Sequence, residues 1–471
     1  MNYTDNIFIA FFAITFVAYY LVRKSQWQLL ILITASLFFY AWQYPPLLVI
    51  FLCSWLITGL SSYGVLAARD GSRARLFATS GVIFNLLLLG FFKYKFLVIQ
   101  NLTALPHPQP QSLGEWLILA PLPIGISFYT FHGISLLVDT YRGNAAVFVE
   151  RQPNLALHLK ETLLYLAFFP QLIAGPIIKA RDFYPQVTLK RFQDIDFLAC
   201  FRILVTGYFL KSVIADNLSE QTYWIAYPYF RWKSSGDLWL LLYGYSAQIF
   251  ADFAGYSLIA IGLARLLGYK LPDNFNFPYL SSSISEFWRR WHISLSSWLR
   301  EYLYIPLGGN KKSALRTYIN LILVMLLGGL WHGAAWSFAI WGLWHGIGLV
   351  LERPWLEYPI FSSTNPILKG MRIFAVFNFV TIGWLFFKLQ DFSQAWSYLA
   401  MLFHSEAGGI TVISKANVIL LFYVFFVFLY HASYVYKDIL PKLLKDFSYG
   451  AMLFLIVTNP GPSAPFIYFQ F

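Results

Sequence analysis

The sequence predicts an all-α polytopic membrane protein, and three observations carry that prediction. Of 471 residues, 58% are hydrophobic and only 12% are charged, with a mean hydropathy of +0.58, so the chain lacks the polar surface of a soluble fold. Apolar stretches of span length recur from end to end. Basic residues gather in alternate loops between them. In hydrocarbon every backbone N–H and C=O must be paired within the protein, and a helix does this within one segment.

Spans of roughly 17 to 25 residues are predicted near 7–22, 27–42, 45–68, 76–99, 116–138, 196–214, 237–268, 317–351, 370–388, 415–435 and 447–459, about eleven in all, with 317–351 long enough for two passes. The first run has Asp5 ahead of it and Arg23-Lys24 behind it, and no small-residue cleavage site follows. That is the reverse of a signal peptide, so an anchor with an outer, periplasmic N-terminus is expected. Arg23-Lys24 and the loop from Arg69 to Arg75 then fall in the cytoplasm, and the Ala41 to Pro46 turn and the loop 100–115 fall outside.

The alternation breaks at Phe168-Phe169-Pro170-Gln171-Leu172-Ile173-Ala174-Gly175-Pro176, with Arg151 and Lys160 on one side and Lys179, Arg181, Lys190 and Arg191 on the other. Two readings stand: a re-entrant element lining a cavity, or a kinked span. Residues 269–316 mix Lys270, Arg289, Arg290, Arg300, Lys311, Lys312 and Arg316 with Trp288, Trp291, Trp298, Tyr302 and Tyr304, which predicts cytoplasmic interfacial helices. Segments 217–236 and 402–416 read as loops. No repeat or linker divides the chain, so one membrane domain, 1–471, with a core over 116–351, is expected. Cys53 and Cys200 lie in apolar stretches without metal or redox spacing and read as packing residues. The excess of 12 positive charges is expected to serve cytoplasmic loops and anionic membrane lipid, not nucleic acid.

Ionisable groups at membrane depth mark function by default. His332, within Gly328-Gly329-Leu330-Trp331-His332-Gly333, is the leading candidate. It can act as a general base or hydrogen-bond another helix. Its glycines suit either a substrate passage or tight helix packing. His345, thirteen residues on, would sit about 20 Å away on a continuous helix, so the pair is a poor metal site and no metal is expected. His292 closes Glu286-Phe287-Trp288-Arg289-Arg290-Trp291-His292, and its spacing from Trp288 predicts one shared helical face. Arg289 and Arg290 point elsewhere, toward an anionic group or as an ordinary interfacial face. Asp252 is a carboxylate inside a long apolar run and needs a partner. It either orients a histidine or anchors structure by hydrogen bonds, while Asp139 lies near the end of its span. No Gly-x-Ser-x-Gly elbow, phosphate loop or dinucleotide turn is present. On the residues alone a transporter or flippase, with His332 and Asp252 as a proton relay, is the alternative from another class.

The run DFAGYSLIAIGLARLLGYKLPDNFNFPYLSSSISEFWRRWHISLSSWLREYLYIPLGGN from Asp252 to Asn310, followed by GGLWHGAAWSFAIWGLWHG at 328–346, resembles the membrane-bound O-acyltransferase family, and within it the alginate O-acetyltransferase branch. PLPIGISFYTFHGISLLVDTYRG at 121–143, FFPQLIAGPI at 168–177 and the closing PFIYFQF are similar as well. The resemblance implies a ring of transmembrane helices around a central funnel and tunnel in the bacterial inner membrane. It places the family's principal histidine on His332 and its second active-site position on His292; Trp331, Trp288 and Asp252 are the neighbouring residues expected to support or orient them. It implies no bound cofactor. The acyl donor is a substrate, acetyl-coenzyme A or an acyl carrier protein thioester, entering by Arg289, Arg290 and Arg300. The acceptor is a cell-envelope or exported polysaccharide, reached through a periplasmic partner transferase, with direct acylation of the polymer as the alternative. Gly255-Tyr256-Ser257-Leu258 departs from the branch's usual Gly-Tyr-Ser-Asp, which opens peptidoglycan O-acetylation or D-alanyl transfer to teichoic acid as alternatives; the Ile305-Pro306-Leu307-Gly308-Gly309-Asn310 turn favours the acetyltransferase side.

Overall fold

The computed structural model describes residues 1–42, 44–99, 113–143, 154–173, 175–358, 363, 365–404, 414–436, 438–439, 441–464 and 466–467. Among them every regular element is helical. Among the described residues seven helices are long and apolar enough to cross a membrane, so the chain is a multi-pass membrane protein. The chain divides into two units, residues 1–200 with 260–272 and residues 201–259 with 273–471.

The first unit carries α1 (Asn6–Leu21), α2 (Ser25–Ala41), α3 (Leu47–Ala67), α4 (Gly71–Ile99), α5 (Leu113–Leu119), α6 (Ile126–Tyr141), α7 (Leu155–Ala167), α8 (Phe169–Leu172) and α9 (Ala180–Phe183). Lipid is as apolar as leucine, so helices associate through small residues and interhelical hydrogen bonds. Both occur where α3, α4 and α6 meet. A Cβ on Gly81 would lie 2.9 Å from Ser61 Cβ, and Asn85 Nδ2 donates to Thr58 Oγ1 at 3.0 Å.

Two predicted elements differ here. The span expected over 116–138 is split into α5 and α6, because Pro121 and Pro123 interrupt it and Gly125 adopts a left-handed φ of 70°. A side chain there would meet Leu172 O at 2.6 Å, so the break is fixed by packing as well as by proline. The element near 168–176 opens as the four-residue α8, buried in protein. Its carbonyls Phe169 O and Pro170 O accept from the Tyr3 hydroxyl at 3.2 and 3.1 Å, and Phe169 N donates to Ser36 Oγ. Irregular backbone at membrane depth survives only with such partners. The flanking Arg151, the loop 100–112, most of the predicted loop 402–416 and most of the closing PFIYFQF lie outside the described residues.

The second unit carries α10 (Phe197–Tyr208, from its fifth residue), which runs through a π-helical stretch at 209–215 into α11 (Asp216–Gln221), and most of α12 (Ser235–Leu266). Then come α13 (Ile284–Arg290), α14 (Ile293–Leu299), a π-helical turn at 300–304, α15 (Ala314–His332), α16 (Trp336–Glu352), α17 (Pro366–Lys388), α18 (Phe392–Phe403), α19 (Lys415–Val435) and α20 (Lys442–Thr458). The predicted loop 217–236 is instead mostly folded, through α11 and helical turns at Thr222–Ile225 and Tyr229–Trp232 that pack aromatic rings on one another. Segment 269–316 holds short helices up to Ser313 and then the start of α15 at Ala314.

The stretch 317–351 forms a hairpin of α15 and α16, whose backbones touch at glycine. A Cβ on Gly329 would sit 2.2 Å from Phe338 O, and one on Gly342 would sit 2.3 Å from Met325 O. Helix backbones cannot yield locally as a flexible side chain can. Gly342→Ala should therefore cost about 2 kcal/mol through overpacking and lower the thermal unfolding midpoint in detergent. Gly90→Ala on α4, where a Cβ meets nothing within 4 Å, should leave that midpoint at or above wild type.

Candidate active site

α15 ends at His332 because the next residue turns away: Gly333 is extended, and the Phe338 ring fills the place of any Cβ at 2.1 Å. The three flanking glycines thus divide between the two expected uses. Gly329 and Gly333 serve tight packing, whereas the nearest atom to a Cβ on Gly328 is Leu299 Cδ1 at 3.4 Å, and Gly328 lines a cavity. The His332 imidazole is 6% exposed and collared by rings, with centroids at 4.9 Å for Trp331, 5.1 Å for Trp341 and 5.2 Å for Phe387.

The cavity measures about 640 Å³. One wall is a single face of α15, made by Leu321, Val324, Met325, Gly328 and His332, which spans roughly 16 Å at the helical rise per residue. Trp288, Arg289, Arg300 and Tyr304 contribute to the rest. Both arginines are exposed, so guanidinium groups stand at the cavity's rim and an imidazole in its wall. Arg289 Nη1 donates to Ser285 Oγ at 3.0 Å. α13 is fixed at its start by the Ser283 cap and by Glu352 of α16, whose carboxylate accepts from Ile284 N and Ser285 N. An anion at a helix N-terminus satisfies donors that have no partner within the helix.

Arg290, expected beside Arg289 at the donor entry, is not part of this lining. Its guanidinium pairs with Glu286 at 2.8 Å, donates to Asn276 O and lies over Tyr434. Burial pushes the Glu286 pKa up, but hydrogen bonds from Ser282 and the Arg290 charge outweigh it and hold the group below its usual value, so the pair is ionic.

His292 does not share a helical face with Trp288. α13 stops at Arg290, Trp291 is extended, and His292 takes a left-handed φ of 44°. Such a backbone is uncommon for a non-glycine residue and persists only where its surroundings impose it. Here Asn276 N donates to Arg290 O and Ile293 N donates to Asn274 O, both at 2.9 Å, which clamps the break. The ring lies 3.1 Å, Nδ1 to Oδ1, from Asn274, with Phe253 edge-on at 4.7 Å and Trp331 at 6.4 Å. Trp331 therefore contacts both candidate imidazoles, while Trp288 lines the cavity and packs on Trp341 and His345. His345 is not on a continuous helix with His332. It sits one ring further along the second helix of the hairpin, with Trp341 5.1 Å from His332 and 5.0 Å from His345.

Of the two roles open to Asp252, the geometry gives the anchor. Its carboxylate lies 2.7 Å from Lys211 Nζ and accepts from Ile467 N, and Lys211 also pairs with Asp216 at 2.7 Å and donates to Ala464 O. Among the described residues no hydrogen bond or ion pair joins Asp252 to a histidine; Asn274 takes that place at His292. The sequence carried a usable signal for Lys211, a lysine inside an apolar stretch, and none for Asn274, which stands in an ordinary polar turn. Removing one member of a buried ion cluster strands the others. Lys211→Met should destabilise the protein by about 3–5 kcal/mol, read as a lower unfolding midpoint, with part of the loss recovered on adding Asp252→Asn.

A sequence profile described as the membrane-bound O-acyltransferase family matches residues 149–390, the stretch that holds the cavity and both histidines. A protein of Azotobacter vinelandii named "Probable alginate O-acetylase" is 38% identical over 433 residues, 88% of this chain and 81% of its own length. A peptidoglycan O-acetyltransferase of Helicobacter pylori is 37% identical over 425 residues, 83% of this chain and 77% of its own. A teichoic acid D-alanyltransferase of Bacillus subtilis is 32% identical over 304 residues, 61% and 73%. These similarities replace the transporter alternative with an enzyme: the chain belongs to the membrane-bound O-acyltransferase family and is a multi-pass acyltransferase.

Proposed function

We propose that the chain is an O-acetyltransferase of the bacterial inner membrane that moves an acetyl group from a cytoplasmic thioester toward a cell-envelope or exported polysaccharide. One observation carries the reading: exposed Arg289 and Arg300 share one cavity with the buried His332 imidazole. Acetyl-coenzyme A and acetylated carrier protein both present a phosphorylated arm ending in a thioester. Guanidinium groups bind phosphate through paired, charge-assisted hydrogen bonds, and the apolar wall between admits the arm. His332 is the general base. It takes the proton of the acceptor hydroxyl as that oxygen attacks the thioester carbonyl, and the proton then leaves with the departing thiol. His292 supplies the second imidazole of the site.

The acceptor side rests on the relatives. Those named for alginate and for peptidoglycan O-acetylation match over similar shares of the chain, which supports acetyl transfer to a polysaccharide class without selecting one polymer. The D-alanyl relative matches over less. A periplasmic partner transferase receives the acetyl group, consistent with the absence of a serine-nucleophile elbow in this sequence, and the N-terminus lies on that side by the charge of the loops.

Thioester consumption by the purified chain in lipid, with the partner supplied, tests this reading. His332→Ala should lower kcat by about 10²- to 10⁴-fold with the unfolding midpoint unchanged, and turnover at the wild-type rate would remove the base. Arg289→Gln with Arg300→Gln should raise KM for the thioester while kcat holds. An unchanged KM would move donor entry to another surface.

A further inference from the structure

We infer that Asn274 is a positioning residue of the acyl-transfer site, whose side-chain carbonyl fixes His292 in the Nδ1–H tautomer and leaves its Nε2 lone pair as the working atom. The inference rests on the assignment of His292 to the site. It deepens that assignment by saying which nitrogen works and what holds it.

The orientation of the Asn274 amide follows from its partners. Oδ1 lies 3.3 Å from Ser294 N, 2.9 Å from Ser294 Oγ and 3.1 Å from His292 Nδ1, while Nδ2 donates to Ser257 Oγ at 3.0 Å. A backbone N–H can only donate, so the atom facing Ser294 N must be the carbonyl oxygen; the flipped amide would set its NH2 against that N–H. A carbonyl oxygen only accepts. His292 Nδ1 must therefore carry the hydrogen, and in a neutral imidazole Nε2 is then bare. Asn274, His292, Ser257 and Ser294 are each 1 or 2% exposed, so water does not compete for these bonds. Nε2 is buried and has no hydrogen-bond partner among the described residues. A buried acceptor without a partner is costly, which fits an atom kept for a substrate O–H, S–H or N–H.

The amide also matters for charge. Phe253 on α12 and Trp331 on α15 pack against the imidazole, and of the charged side chains on α13 Glu286 and Arg290 are engaged with each other while Arg289 bonds Ser285 and lines the cavity. Burial lowers the pKa of His292 from 6.5 to about 3, with no charged neighbour contributing. A carboxylate at position 274 would orient the ring equally well but would favour imidazolium. The asparagine orients without charging.

The experiment uses the full chain in lipid with thioester and partner. Asn274→Asp raises the pKa of His292, so neutral imidazole is lost at higher pH and the acid limb of the kcat profile should move up in pH, with activity recovered above it. Asn274→Leu should lower kcat by about 10²-fold with KM for the thioester unchanged, and Asn274→Asp should outperform it at alkaline pH. ¹⁵N spectra of histidine-labelled protein, assigned by difference against His292→Gln, should show the Nδ1–H tautomer in wild type and a mixture in Asn274→Leu, a signature independent of turnover. An Nε2–H tautomer in wild type overturns the inference. So does an Asn274→Asp profile that matches wild type while His292→Gln is impaired. Wild-type turnover in His292→Gln instead removes the assignment of His292 on which the inference stands.

Discussion

The site depends on one contact, the backbone-to-backbone approach of α15 and α16 at Gly329 and Gly342. At that separation no side chain fits between the helices, and their order along the chain fixes the rest. The turn at 333–335 ends α15 on His332 and starts α16 at Trp336, so Trp341 returns against the imidazole it follows by nine residues. At the far end of the same helix, Glu352 caps α13 and so places Trp288 and Arg289 at the cavity. Imidazole, collar and one rim arginine are thus referenced to a single hairpin, which is how groups from separate segments can be held to the tolerance chemistry needs.

Charge in this unit is separated from the aromatic collar. Lys211 holds Asp216 and Asp252 where α10 and α12 cross through Gly207 and Gly255; a Cβ on Gly255 would lie 2.8 Å from Lys211 N. The same glycine that lets the helices touch brings the lysine to the carboxylates. The C-terminal residues Ala464 and Ile467 complete the cluster through their backbones. A buried ion pair adds little net stability over apolar residues of similar shape, but it tolerates few alternative arrangements, and here it ties three distant parts of the chain to one register.

The parts legible in the sequence were those with local causes. Helices showed as apolar runs of span length, and His332 showed because an imidazole is conspicuous among leucines and tryptophans. Arg289 and Arg300 showed as charge beside aromatics. The breaks were not legible where their cause is tertiary. Pro121 and Pro123 stand at one, yet the apolar run reads as an unbroken span over 116–138, and the exact place of the break depends on Leu172 O, 47 residues after Gly125. The kink at His292 depends on Asn274 and Asn276, so spacing alone put His292 on the face of Trp288 and placed Arg290 with Arg289. Asp252 drew attention for a sound reason, the cost of a buried carboxylate, yet the partner that answers that cost, Lys211, lay in a different apolar run.

The cavity also bears on the route of the acyl group. Its rim carries two cations, its wall along α15 is aliphatic from Leu321 to Gly328, and His332 follows on the same face. A donor with an anionic head, a slender neutral arm and a reactive end loses little on entering such a gradient. A sugar polymer differs, since each hydroxyl drawn along the aliphatic α15 face loses hydrogen bonds to water that this face cannot replace. That face therefore favours the thioester arm over a sugar polymer, which agrees with the proposed relay, in which the polymer meets the acetyl group at another surface.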